Sequence, residues 1–270
     1  MDDISSIHQA IQSIDPNLDF SDPRTFTTLP FPSLLPIPHC FQTAKFKDNV
    51  KGFQFMGRTV FSNLLEEVRT PDFLGKRHNL SLYGTSGTGK SHLLAALVCH
   101  LVRDKKRVIY LPDCHGLLED ARECFRSALL FAFYDDGFSR ETIENAWSVD
   151  ELFGFVRKRP RGSLYLIIDQ RDALELGPDS DGPDIDRAVK YKALECLRFM
   201  SAPSLYIYSA VANQQSDRDA SLKQRNLKTI RLHEGMTKVC PHLFNSLVSR
   251  SPGGDKCLVH SPRGLAAQPF

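Results

Sequence analysis

Tyr83-Gly84-Thr85-Ser86-Gly87-Thr88-Gly89-Lys90-Ser91 is the stretch on which the reading of this chain turns. From Gly84 it spells G-x-x-x-x-G-K-S/T; the short run Leu80–Tyr83 before it reads as a strand, and Lys90–Arg103 after it as a buried helix. A polyphosphate needs many donors converging on a small volume, and main-chain N–H groups supply them only where side chains stay out of the way. Gly84, Gly87 and Gly89 permit the unusual dihedrals and the close approach. The loop then delivers the anion to a helix N-terminus, where unpaired N–H groups and the macrodipole favour negative charge. In this pattern Gly84, Thr85, Ser86, Gly87, Thr88 and Gly89 cradle the phosphates, Lys90 reaches the β- and γ-phosphates, and the Ser91 hydroxyl ligates Mg²⁺.

Outward from the loop, the hydrophobic period switches repeatedly between strand and helix. Arg107–Leu111, Leu164–Asp169, Leu205–Ala210 and Lys228–Leu232 read as strands. Arg58–Arg69, Leu117–Tyr134, Val149–Lys158 and Asp186–Met200 read as helices. Leu164–Asp169 is apolar throughout until its last residue, as a central parallel strand buried on both faces requires. The expected fold is α/β: a P-loop NTPase with a mainly parallel sheet of about five strands sandwiched by helices, of the additional-strand type. Three segments are expected. Residues 1–44 hold a short amphipathic helix (Ile4, Ile7, Ile11, Ile14) and a proline-rich arm over Leu29–His39; 45–237 form the nucleotide-binding domain; 238–270 read as a poorly ordered tail.

A phosphate loop alone leaves a metal half-held, and Asp169 at the carboxyl end of its apolar strand supplies the partner, directly or through water. Lys90, Asp169 and Gln170 are the candidate catalytic residues, with Ser91 and Asp169 the candidate metal ligands. Many ATPases of this class have Glu where this chain has Gln170; Gln can orient water but cannot accept its proton. The following strand would place either Ser209 or Asn213 near the γ-phosphate. Phe53-Gln54-Phe55-Met56-Gly57-Arg58 could fold back over the base and ribose, which makes Arg58 a further nucleotide-binding candidate. Arg218, Arg225 and Arg231 are arginine-finger candidates by position only.

The bulk numbers narrow the function class. A chain of 270 residues with 41% apolar and 24% charged residues can bury a real core, and a net charge of +2 gives no overall footprint for nucleic acid. The basic run Arg157–Arg159 with Arg161, and the acidic stretch Asp179–Asp186, read as solvated faces. Seven scattered cysteines, never spaced C-x-x-C, argue against a zinc site and for a reducing, intracellular compartment. The acidic N-terminus has no apolar signal-peptide core, and no apolar run approaches membrane-spanning length. The sequon Asn79-Leu80-Ser81 falls on a strand expected to be buried. The expected partners are a nucleotide and an unidentified protein, without direct nucleic-acid binding and without a membrane; the expected cofactors are ATP and Mg²⁺.

Tyr83–Leu94, Val108–Cys114, Leu166-Ile167-Ile168-Asp169-Gln170 and Ser209–Asn213 together resemble the P-loop ATPase domain of Crinkler-type proteins of fungi and oomycetes. That resemblance spans about residues 45–237 and implies the ATPase module of an effector-like protein, often joined to a nuclease-like domain. Two departures stand out: no ubiquitin-like header precedes the domain, and after Gly235-Met236-Thr237 the helical continuation gives way to an unrelated tail. Three functions remain open: an ATPase, a nucleotide-dependent binding module with negligible turnover, and a small-molecule phosphotransferase. The acidic segment Asp172–Arg187 suits a phosphate-bearing acceptor poorly, which disfavours the third. ATP is favoured over GTP because no Asn-Lys-x-Asp tetrapeptide occurs.

Overall fold

The computed structural model describes residues 2–41, 43–46, 50–69, 79–174, 184–201, 204–211 and 227–232. In chain order they form α1 (Asp2–Gln12), β1 (Phe26–Pro30), β2 (Thr43–Lys45), β3 (Lys51–Met56), α2 (Val60–Arg69), β4 (Asn79–Gly84) and α3 (Lys90–Arg103). Then follow β5 (Arg107–Leu111), α4 (Gly116–Ala132), α5 (Gly137–Glu144), α6 (Val149–Arg157), β6 (Leu164–Ile168), a 3-10 turn (Arg171–Leu174), α7 (Asp184–Ser201), β7 (Ser204–Val211) and β8 (Leu227–Arg231).

The main sheet has five strands in the order β5-β6-β7-β4-β8, and every neighbouring pair is parallel. β7 therefore lies between the strand that leads into the phosphate loop and the strand that ends at Asp169, as the additional-strand arrangement requires. The alternation of side chains sorts each strand onto two faces. Leu80, Leu82, Val108, Tyr110, Tyr165, Ile167, Leu205 and Ile207 join one core with α1, α2 and α3. Ile109, Leu111, Leu164, Leu166, Ile168, Tyr206 and Tyr208 join a second core with α4, α5, α6 and α7. This helix–sheet–helix sandwich is the P-loop NTPase fold. Within it Ser81 is buried, so the sequon sits on a covered strand.

Several helices begin where a side chain satisfies the first N–H groups. Ser148 accepts from Glu151 N while Glu151 Oε2 accepts from Trp147 N, a reciprocal cap at the start of α6. Asp136 accepts from both the amide and the hydroxyl of Ser139 and so starts α5, a helix that periodicity alone does not reveal. The run expected as one helix over Leu117–Tyr134 is broken at Asp120 (φ −145°, ψ 88°), whose carboxylate caps the longer segment through Glu123 N.

The larger departure lies in the first sixty residues. β1 pairs antiparallel with β3, and β3 with β2, in a small sheet of order β1-β3-β2. The proline-rich arm thus begins as a strand, and Phe53 and Phe55, in the segment that could have folded over a base, are buried in the α3-side core. α1 packs there as well through Ile11, and Ile14, just beyond its end, joins the same core. His8 joins this helix to α4: its Nε2 lies 2.9 Å from Phe131 O, and its ring stacks on Tyr134 at 3.5 Å. The expected tail lies outside the described residues, as do Asn213, Arg218, Arg225 and most of the acidic stretch near Asp179. Among the described residues no helix is long and apolar enough to cross a membrane.

Candidate nucleotide-binding site

The loop between β4 and α3 has the backbone its spelling demands. Gly87 and Gly89 take φ of 76° and 78°, the left-handed region that L side chains avoid, and Gly89 is the residue from which α3 starts. Gly84 is needed for a different reason: a Cβ there would lie 3.0 Å from Thr88 Oγ1 and 3.1 Å from Leu232 O. Thr88, buried, ties the loop together by donating its hydroxyl to Thr85 O at 2.9 Å. The Lys90 ammonium is also buried, and donates to Gly84 O at 2.7 Å and Thr85 O at 2.8 Å. Burial lowers its pKa, opposed by the charges of Asp169 and Asp172, so both carboxylates are within electrostatic reach.

Asp169 closes the opposite side. It follows β6, and its amide donates to Leu111 O at 2.9 Å, which fixes it to the neighbouring strand. The carboxylate is almost fully enclosed, and burial raises its pKa against the lowering effects of Ser209, Ser91, Gln170 and Lys90. Oδ1 accepts from the Ser209 hydroxyl and from Gln170 N, whereas Oδ2 has no hydrogen-bond partner among the described residues. The Ser91 hydroxyl is close enough to bias Asp169 as a hydrogen-bonding neighbour without completing a bond to Oδ2. A buried, unpartnered carboxylate oxygen beside a hydroxyl offers oxygen ligands of the kind a hard divalent cation takes, and the nearby Lys90 ammonium suits phosphate oxygens instead.

The other anticipated residues fall as follows. Arg58 reaches the loop: its guanidinium donates to Thr88 O and stands 2.9 Å from where a Gly89 Cβ would be. It is set there by Gly57, whose amide donates to Thr25 O, and by its own amide donating to Phe20 O. Ser209, at the end of β7, spends its hydroxyl on Asp169, and Gln170 N bonds to Ser209 Oγ at 3.1 Å. Gln170 itself has φ of 54°, and its side-chain amide points at Cys40 Sγ, 3.8 Å away. Arg231 is exposed on the edge strand β8. The basic run is partly structural: Arg159 lies 4.2 Å over the Phe155 ring and 5.0 Å over Phe133.

Two neighbours of the loop are not in the sequence-derived set. Cys40 stands beside Ser91 and Gln170. His92, one residue further along α3, packs against Phe41 at 4.7 Å and Phe53 at 5.9 Å. Cys40 and Phe41 come from the end of the N-terminal arm and Phe53 from β3; no local spacing signals these contacts, because the partners are distant in sequence.

The sequence profile of a family described as "IstB-like ATP binding protein" matches residues 37–123. A comparison with curated proteins finds no match. Among solved structures, the chain is similar to a DNA replication initiation factor, at 16% identity over 70% of this chain and 49% of that one, with a TM-score of 0.37. It is similar in the same degree to AMPPCP-bound DnaA from Aquifex aeolicus, at 16% identity over 74% of this chain and 53% of that one, with a TM-score of 0.37. The chain spans about half the length of these two proteins. The family match corrects the resemblance to Crinkler-type proteins: the stretch containing Tyr83–Leu94 and Val108–Cys114 is similar to IstB-like ATP binding proteins instead. The reason is physical. A triphosphate imposes the same glycine spacing, lysine and hydroxyl on any loop that holds it, so those residues report the ligand and not the lineage. The effector-like family reading falls with that resemblance, and what stands is an ATP-binding P-loop protein.

Proposed function

We propose that this chain binds ATP with Mg²⁺ and hydrolyses it slowly. Gly84–Gly89 and Lys90 hold the triphosphate, Arg58 adds a second cation at the start of α3, Ser91 and Asp169 hold the metal, and Gln170 orients the attacking water. The reading rests chiefly on Asp169 Oδ2, a buried carboxylate oxygen with no partner among the described residues, next to Ser91 and within the field of Lys90. Supporting it, Lys90 and Arg58 both converge on a helix N-terminus that is itself electropositive. An anion resolves that accumulation of positive charge. Mg²⁺ supplies neutralisation of charge on the β- and γ-phosphates. ATP is preferred to GTP by the missing guanine-type tetrapeptide and by the description of the matching family.

The test is calorimetric titration with ATP and GTP, with and without Mg²⁺, beside a phosphate-release assay. Saturable ATP binding strengthened by Mg²⁺ is expected; Lys90→Ala should weaken it at least about tenfold, the scale of one lost charge-assisted contact. Asp169→Asn should remove the Mg²⁺ dependence while leaving the fold, as judged by circular dichroism. Absence of saturable binding in the wild-type chain, or an unchanged Lys90→Ala, overturns the proposal. A second reading, a nucleotide-controlled binding module without turnover, is favoured by Gln170, which offers no proton acceptor and whose amide is engaged with Cys40. Tight binding without phosphate release would select it.

A further inference from the structure

A thiol stands where phosphate-loop chemistry has no use for one. The arm that leaves β1 crosses the first turn of α3, where Phe41 packs on His92 and Cys40 reaches the Ser91 hydroxyl. Gln170 Nε2 is 3.8 Å from Cys40 Sγ on the other side. The thiol therefore touches both halves of the metal site, the loop serine and the residue after Asp169.

The surroundings point to a ligand at this spot. Buried side-chain oxygens without a partner among the described residues include Asp169 Oδ2, Asp172 Oδ1 and the Tyr110 hydroxyl. Asp172 acts electrostatically on Lys90, and Tyr110 feels the charges of both Asp169 and Cys40, so each lies within electrostatic range of the site. Native structures rarely leave such groups unsatisfied, and an ion with its water shell is a common reason when they do. Among the described residues no three His, Cys, Asp or Glu side chains gather as a self-sufficient cage. Cys40, Ser91 and Asp169 thus form a partial set, whose remaining positions fall to phosphate or water oxygens.

We infer that Cys40 is a sulfur donor to the divalent cation held by Ser91 and Asp169, so that this site takes thiophilic cations such as Zn²⁺ or Cd²⁺ more tightly than an all-oxygen site does. On binding, the S–H bond of Cys40 breaks, its proton goes to solvent, and the sulfur lone pair forms the bond to the metal. The inference rests on the proposed metal position at Ser91 and Asp169, and makes the arm part of the site.

The probe is Cd²⁺ alone, followed by the ultraviolet charge-transfer absorption of a cadmium–thiolate bond. The full chain carries Cys240→Ser and Cys257→Ser; Cys99, Cys114, Cys124 and Cys196 are buried in the folded protein. The parent should show a saturable band, Cys40→Ser should abolish it, and Asp169→Asn and Ser91→Ala should each weaken Cd²⁺ binding about tenfold or more, as loss of a metal-supporting group does. Circular dichroism checks that each variant is folded, and the paired variants keep the test alive if one is not. A band that survives Cys40→Ser, or a Cd²⁺ affinity indifferent to both Asp169→Asn and Ser91→Ala, overturns the inference. Titration of the wild-type chain with ATP and Mg²⁺ separates the two readings. ATP binding without a Cys40-dependent band overturns the metal thiol alone, whereas a Cys40- and Asp169-dependent band without ATP binding upholds the thiol and overturns the nucleotide.

Discussion

Gln170 carries the sharpest conflict between local energetics and site chemistry. A non-glycine residue in the left-handed region costs about 1 kcal/mol or more, and here the conformation is held by the amide, which bonds to Asp169 Oδ1 at 2.9 Å and to Ser209 Oγ at 3.1 Å. The backbone is therefore fixed by Asp169 and Ser209, and the side chain can change without moving it. Gln170→Glu should raise phosphate release by about 10²-fold, the lower range for a general base placed on the attacking water, with ATP affinity little altered. Single-turnover phosphate release on both forms measures this. No increase would mean that Gln170 does not face the water, and that another group, such as Asp172, positions it. Ser209 is the counterpart at the same scale: the sequence offers it to the γ-phosphate, whereas its hydroxyl holds Asp169 in place.

Elements explain which parts of this architecture can be read in advance. β4, α3, β5 and β6 announce themselves through local pattern: glycine spacing, a buried helical run, and an apolar run ending in Asp169. The small sheet does not, because β1 and β3 are distant in sequence and because Pro30 reads as a breaker although it merely ends β1. Phe53 and Phe55 alternate as a strand should, yet alternation says only that one face is covered, not by what. For the same reason Lys90, Ser91 and Asp169 are legible as a candidate site while Cys40, 130 residues from Gln170, is not. The small sheet matters to the site through Gly57. A Cβ there would lie 2.1 Å from Asp22 O, so Gly57→Ala must move the segment that sets Arg58 against Thr88. Stability should fall by about 1–3 kcal/mol, as for overpacking, and ATP affinity should fall with it. Denaturant unfolding and calorimetry read the two effects; an affinity unchanged in a destabilised but folded Gly57→Ala would remove Arg58 from the nucleotide site.

At the scale of the whole molecule, the N-terminal segments are joined to the α/β layers through the buried His8 and the half-buried His92. His8 links α1 to α4, and His92 lies under Phe41 and Phe53; burial pulls the pKa of each from 6.5 down to about 4, despite the opposing Phe131 carbonyl and Asp135 at His8. His100, on α3, is lowered in the same direction by burial. The sign follows from proton counting. Between pH 4 and pH 6.5 the unfolded chain holds protons on these rings that the folded chain does not, so stability rises with pH across that window and is lost as pH falls through it. Asp169 works the other way, because its raised pKa lets the folded chain take up a proton before the unfolded one. Two histidines lowered to about 4 should outweigh one carboxylate; at about pH 5 each costs on the order of 1–2 kcal/mol relative to neutral pH. Denaturant unfolding from about pH 7.5 down to about pH 5 should therefore show a falling midpoint. His8→Gln keeps a donor for Phe131 O but cannot titrate, so combined with His92→Gln it should flatten that slope even if it lowers stability at neutral pH. A slope equally steep in the double variant would show that acid acts elsewhere, and would separate the docking of the N-terminal segments from the pH response of the fold.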